Sequence, residues 1–170
     1  MLHISPIHLE QIPEVLRVQR LCYIPELNES SAAFSRKLVL YPEGCLGAWD
    51  GDQLCGYIFS HPWHYGKTVP LNTESYVIPT DADCLYIHDL AVDPNHRERK
   101  IGRILLNDLF NTAAQRGWQK YALVAVQGSE PFWSRWGFTA QRNFEYIPGV
   151  KATYMTCFGP PVWKPCSKSS

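Results

Sequence analysis

The residues best able to do chemistry in this chain lie in the segment YIHDLAVDPNHRERKIGRILLNDLF, residues 86–110. The apolar run from Leu85 to Val92 reads as a buried strand, Asp93-Pro94-Asn95 ends it, and an amphipathic helix begins near Ile101 or Gly102. Amides in the first turn of a helix have no acceptor within the helix and sit at the positive end of its dipole, so such a turn can hold phosphate oxygens. Arg97, Arg99, Lys100 and Arg103 add cations at the same place. These residue types leave two readings open, a diphosphate cradle and a solvated basic helix start. In the strand, His88 is the side chain best suited to accept a proton near neutral pH. Asp89 points to the opposite face from His88 if the strand is regular, and a bulge would change that.

The elements that must position this segment follow from periodicity. Residues 2–5 read as a short strand, and Leu9, Ile12, Val15 and Leu16 line one face of a first helix. The cluster Asn28-Glu29-Ser30-Ser31 caps a second helix from about Ala32 to Leu40. Cys45–Trp49 and Leu54–His61 alternate as strands around the hairpin signal Asp50-Gly51-Asp52. Residues 62–83, with Pro62, Gly66, Pro70 and Pro79, form a long excursion of the kind that often carries function. The helix Ile101–Gln115 places Ile104, Leu105, Leu109 and Ala113 on one face, with Gly117 just past its end. A strand at Tyr121–Val126, a short helix at Glu130–Trp136 and a strand pair at Phe138–Tyr146 and Ala152–Phe158 complete the pattern. The prediction is one α/β (α+β) domain over residues 1–158, a mixed sheet of six to seven strands flanked by about four helices, with a mobile tail at 159–170.

Composition excludes several classes. Sixteen basic residues balance sixteen acidic ones, so no net positive field drives phosphate contacts and nucleic acid is not an expected partner. The opening MLHISPIHLEQIPEVL lacks a basic stretch followed by an apolar run, so no secretory signal is expected. No run approaches the roughly 18 apolar residues of a membrane span. The six cysteines lack metal-ligand spacing and read as reduced thiols, most of them small core residues, in a cytoplasmic protein with no metal site.

Two motifs carry a resemblance. Arg97 and Gly102 match the first and last positions of the cofactor motif of the GNAT superfamily of N-acetyltransferases, and Lys100 stands where that family has its middle glycine. About 30 residues on, LVAVQGSEPFWSRWGF, residues 123–138, is similar to the family's later motif of strand, short aromatic helix and Gly-Phe. The resemblance covers roughly residues 44–147 and implies the GNAT fold and acetyl-CoA as cofactor. It implies that the backbone of Leu90, Ala91 and Val92 pairs with the pantetheine arm. It also implies that amides of Arg97, Glu98, Arg99, Lys100, Ile101, Gly102 and Arg103 surround the diphosphate, and that Gln127, Phe132 and Trp133 line the far side of the arm.

The same resemblance assigns the proton chemistry. An amine with a pKa near that of lysine costs roughly 4 to 5 kcal/mol to deprotonate at neutral pH, so a general base is needed. The strand looks similar to that of arylalkylamine N-acetyltransferases, whose His-x-His corresponds to Tyr86-Ile87-His88. This makes His88 the candidate base and Tyr86 its companion. The family's general-acid tyrosine is Trp133 here, and Tyr146 and Tyr154 are the possible substitutes. For the acceptor, Tyr23, Glu29, Trp63 and Asp89 offer acidic and aromatic groups suited to a cation. The expected activity is acetyl transfer from acetyl-CoA to a small primary amine, such as an arylalkylamine or polyamine, by a monomer or homodimer. A protein N-acetyltransferase and an acyl-CoA-sensing module that has lost turnover are the alternatives.

Overall fold

The computed structural model describes residues 1–166, and in it seven strands join one sheet in the order β1-β2-β3-β4-β5-β7-β6. Strand β1 is Leu2–Pro6, β2 is Cys45–Asp50 and β3 is Gln53–Trp63. Strand β4 is Cys84–Val92, β5 is Lys120–Ala125, β6 is Thr139–Ile147 and β7 is Val150–Phe158. Four α-helices interrupt them: α1 (Ile12–Cys22), α2 (Ser31–Leu40), α3 (Ile101–Gln115) and α4 (Glu130–Ser134). The mixed-sheet α+β fold expected from the sequence is the fold observed.

Local chemistry explains the boundaries. Ser30 caps α2 by accepting a hydrogen bond from the Ala33 amide at 3.1 Å. Gly51 takes a positive φ of 60° in the two-residue β2–β3 turn, a conformation that costs glycine nothing. Helix α3 buries Ile101, Leu105, Leu106, Leu109, Phe110 and Ala113 against Ile58, Leu85, Ile87 and Leu123 of the sheet. Ile104, expected on that face, is exposed, because the buried stripe runs through Leu105 and Leu106 instead. On the opposite side α1 and α2 bury Val15, Val18 and Phe34 against Trp49, Leu54, Tyr57 and Phe59.

Two irregularities open the sheet where it matters. All strand pairs are antiparallel except β4–β5, and that parallel pairing lasts only from Leu85–Tyr121 to Ile87–Leu123. From His88 onward β4 continues with β3 alone, so the sheet splits. The split coincides with a bulge, since Phe59 pairs with Asp89 and Ser60 with Ile87, leaving His88 as the extra residue.

The segment after β7 makes contacts as far as Lys164. Trp163 lies between the guanidinium groups of Arg103 and Arg135, at 4.6 and 4.1 Å, and its ring meets Phe132 and Trp136 at 5.7 and 5.4 Å. The Lys164 amide donates to the Arg135 carbonyl at 2.6 Å, and Arg135 Nε returns a bond to the Lys164 carbonyl at 3.1 Å. These contacts join the segment to the start of α3 and the end of α4. Residues 167–170 of the expected tail lie outside the described residues. No helix among the described residues is long and apolar enough to cross a membrane.

Candidate active site

The split holds a cavity of about 290 Å³ that runs from Arg97 at one end to Glu29, His88 and Tyr146 at the other. Backbone alternation decides what β4 offers it. The Asp93 amide donates to the Cys55 carbonyl on β3 at 2.8 Å, so Ala91, two residues earlier, also turns its backbone toward β3. Leu90 and Val92 then face the split, where their carbonyls accept from the Tyr23 hydroxyl at 2.8 Å and the Cys22 thiol at 3.1 Å. Of the three residues expected to pair an extended ligand, Leu90 and Val92 present their polar groups and Ala91 does not.

At the first end a 3-10 turn, Pro94–Arg99, leads into α3. Asp93 anchors it: one carboxylate oxygen accepts from the Asn95 amide at 2.9 Å and the other from Arg17 at 3.1 Å. Lys100 then adopts the left-handed conformation, φ 57° and ψ 31°, that favours glycine. The loop thus keeps the shape a glycine would give it. Ile101, Gly102 and Arg103 are the first three helical residues, whose amides the helix leaves without acceptors. A Cβ on Gly102 would meet Val92, Leu90 and Phe132 at 3.7 to 3.8 Å, so this residue borders the gap.

The side chains of this turn have different fates. Arg97 lines the cavity. Arg99 is drawn away, pairing with Asp50 at 2.7 Å, and Ile101 is buried in the core, so neither side chain faces the cavity and only their amides remain for a ligand. Arg103 stacks on Trp163. Glu98 and Lys100 are exposed. On the far wall stand Gln127, Phe132 and Trp133, all lining the cavity. Gln127 also ties the wall to the end of α1, accepting from the Ile24 amide and donating to the Cys22 carbonyl, both at 3.1 Å.

The other end is a buried polar cluster. His88 Nε2 lies 2.7 Å from Glu29 Oε1, and each side chain is 2 % exposed. Lys37 Nζ sits 3.3 Å from Glu29 Oε2, and the Asn72 amide donates to the same oxygen at 2.7 Å. Burial alone would raise the Glu29 carboxyl; His88, Lys37 and Asn72 outweigh it and hold the group at about 2. Asp89 accepts from the hydroxyls of Tyr23 at 2.6 Å and Tyr57 at 2.7 Å. Burial raises the Asp89 carboxyl, and the two phenols only partly restrain it. The bulge is what lets both His88 and Asp89 border the cavity.

Several expected site residues lie elsewhere. Tyr86 is fully buried among Val69, Cys84, Ala122 and Tyr154, outside the cavity, because the excursion packs over it. Trp63 joins the same cluster and does not reach the cavity. Tyr154 is buried there too, its oxygen accepting from the Gly66 amide at 2.7 Å, whereas Tyr146 lines the cavity and donates to the Val69 carbonyl at 3.0 Å. Glu29, expected as a substrate ligand, is bound to His88. Sequence reasoning missed Lys37, Leu27 and Leu71, which sit in segments with no motif of their own, and Ser129, which lies within the later motif but was not singled out. Cys22, which nothing in the sequence sets apart from the other cysteines, borders the cavity, and burial pushes its thiol up to about 11.

A mixed sheet split beside a basic helix start, with a buried His–Glu pair across the cavity, defines a ligand-binding α+β domain. The chain belongs to the acetyltransferase (GNAT) family, whose profile matches residues 12–138. No curated protein sequence matches it significantly. Among solved structures it is similar to the loading GNATL domain of CurA from Lyngbya majuscula, at TM-score 0.78 and 12 % identity over 93 % of this chain and 98 % of that one. Ard1 from Thermoplasma volcanium follows at 0.73 and 16 % identity, covering 93 % and 97 %. The ribosomal-protein-S18-alanine N-acetyltransferase from Escherichia coli superposes at 0.68 and 14 % identity over 100 % and 99 %. At such identities the likeness is one of fold.

Proposed function

We propose that this protein transfers the acetyl group of acetyl-CoA to a small primary amine by direct attack in a ternary complex. The observation that carries the reading is the split beyond Ile87, which joins unpaired helix-start amides at one end to a buried His–Glu pair at the other. The residues fit the donor. Amides of Ile101, Gly102 and Arg103, with Arg97 beside them, suit a diphosphate, and the split-facing amides of Leu90 and Val92 suit an extended amide-bearing arm. Acetyl-CoA supplies the acyl group as an activated thioester.

The chain's own groups handle the protons. The His88–Glu29 pair takes the proton from the bound ammonium; with both side chains 2 % exposed, the transfer passes through a water. Lys37 keeps Glu29 ionised and so keeps the imidazole oriented. Tyr146 lines the cavity, but its hydroxyl donates to the Val69 carbonyl and burial raises its phenol, so it is a poor proton donor to the departing thiolate. A thiol with a pKa of about 8.5 leaves readily, so little help is required. Cys22 is the one thiol at the cavity, and a group raised to about 11 is a poor nucleophile, which favours direct attack over an acyl-enzyme.

The acceptor is read from the lining. Tyr23, Asp89 and Tyr146 border the inner end, and their aromatic and polar groups suit a small arylalkylamine or polyamine. The fold is shared with protein N-acetyltransferases, so an exposed peptide N-terminus is the second reading. Thiol release measured over a panel of aryl amines, polyamines and short peptides tests both. Release with small amines and none with peptides is expected; binding of acetyl-CoA with no release under any acceptor would reduce the protein to a sensor.

A further inference from the structure

The excursion between β3 and β4 meets the inner end of the cavity, and the bonds that hold it there run to two distant parts of the fold. Its first part is tied to the β6–β7 pair. The Gly66 amide donates to the Tyr154 oxygen at 2.7 Å, Arg142 donates to the Gly66 carbonyl at 3.2 Å, and the Tyr146 hydroxyl donates to the Val69 carbonyl at 3.0 Å. Its later part is tied to α2 and the residues just before it. The Asn72 amide donates to Glu29 at 2.7 Å, the Ser30 amide to the Asn72 side-chain oxygen at 2.7 Å, and the Ser30 hydroxyl to Glu74 at 2.6 Å. Arg36 donates to the Tyr76 carbonyl at 3.0 Å.

Two buried side chains anchor this crossing. Val69 packs with Tyr86 and Tyr154, and the Tyr76 ring meets those of His61 and Trp63 at 5.0 and 5.8 Å. Between the anchors, residues 70–75 form no helix or strand, and Pro70, Asn72, Glu74 and Ser75 are exposed. Leu71 lines the cavity together with Leu27, Glu29, His88 and Tyr146. Asn72 turns the chain at this point in the left-handed conformation, φ 59°, which asparagine adopts more readily than most residues. A short irregular stretch therefore borders the inner end, held in its middle by bonds to Glu29 and Ser30.

We propose that residues 69–76 are a strap that selects the acceptor by size, with Asn72 and Glu74 as specificity-determining residues. Closed, the strap leaves room for a small amine beside Leu71 and bars an extended peptide; open, it admits the peptide. This rests on the reading of the inner end as the acceptor site. A ligand that binds only the open state has its affinity reduced by the open fraction, whereas one that fits the closed state loses nothing. Opening also takes the Asn72 amide from the Glu29 oxygen that it shares with Lys37, so the partner of His88 is less well held whenever a peptide is admitted. Small amines are thus favoured in affinity and in rate.

Asn72→Gly combined with Glu74→Ala tests the strap. Glycine keeps the left-handed backbone and the amide that bonds Glu29, and the two changes remove both side-chain bonds to Ser30. The ratio of kcat/KM for a short alanine peptide to that for 2-phenylethylamine should rise about tenfold, the scale of one lost hydrogen bond, through a lower KM for the peptide. An unchanged or lower ratio overturns the proposal. Amide hydrogen exchange on the wild type reports closure without any turnover. The Ser30 and Asn72 amides should exchange at least about tenfold more slowly than in an unstructured peptide of the same sequence, and exchange at the peptide's rate overturns the closed strap. If wild type releases thiol with neither acceptor, the acceptor site itself is misread and selection falls with it. Release with 2-phenylethylamine and an unmoved ratio removes the strap alone.

Discussion

At one end of the cleft the proposed chemistry rests on a single stretch, Arg97 to Arg103, and on backbone amides; at the other it rests on Glu29, Lys37, Tyr57, His88 and Tyr146, drawn from five segments. The first end tolerates a lysine in a glycine's conformation because side chains there contribute little to its shape. The second has no such slack. Its charges are buried, and each is compensated by a neighbour from a distant part of the chain.

The sharpest way to break the comparison is Gly102→Glu. It sets a carboxylate against the expected diphosphate, a repulsion of about 4 kcal/mol at 4 Å, or roughly a thousandfold loss of acetyl-CoA affinity by calorimetry. Gly102→Ala, whose methyl has room, should bind normally. Glu29→Ala should instead destabilise the protein by roughly 3 kcal/mol, leaving the Lys37 charge buried without its partner. The sign of its pH dependence is fixed. Glu29 is held at about 2 when folded against an ordinary 4.5, so its contribution is present above the higher value and fades as pH falls toward the lower. The gap between wild type and variant in denaturant unfolding should close over that window. His88→Ala should lower kcat about a hundredfold with acetyl-CoA affinity intact; an equal loss in binding would merge the two ends into one. Arg97→Ala should weaken acetyl-CoA roughly fivefold, and less in high salt, as for one exposed ion pair. Smallest of all, Lys100→Gly should gain under about 1 kcal/mol in thermal unfolding, because relief of the left-handed backbone is partly offset by glycine's freedom in the unfolded chain.

The same contrast explains what could be read from the sequence. Strands and helices were legible because alternation and 3.6-residue spacing are local, and so was the helix start after β4, where Gly102 and the cations follow one another. The partner of His88 was not. Glu29 is 59 positions away and reaches the imidazole only because α2 folds over β3. Tyr86 and His88 looked equivalent from their spacing, yet the excursion buries one while the bulge opponent to Ser60 and Phe59 leaves the other at the cavity. The bulge has no sequence signal of its own. Trp63 was misplaced because β3 runs on through Pro62 to Trp63, which pairs with Cys84, where the proline suggests that the strand has ended.

Trp163 ties the chain beyond β7 to both walls of the first end, since Arg103 belongs to the opening turn of α3 and Arg135 follows α4. Shortening the chain to Phe158, or fusing a bulky partner there, would therefore free two guanidinium groups and uncover Phe132 and Trp136. Such a trimmed protein would be expected to fold, yet release its nucleotide-bearing ligand faster.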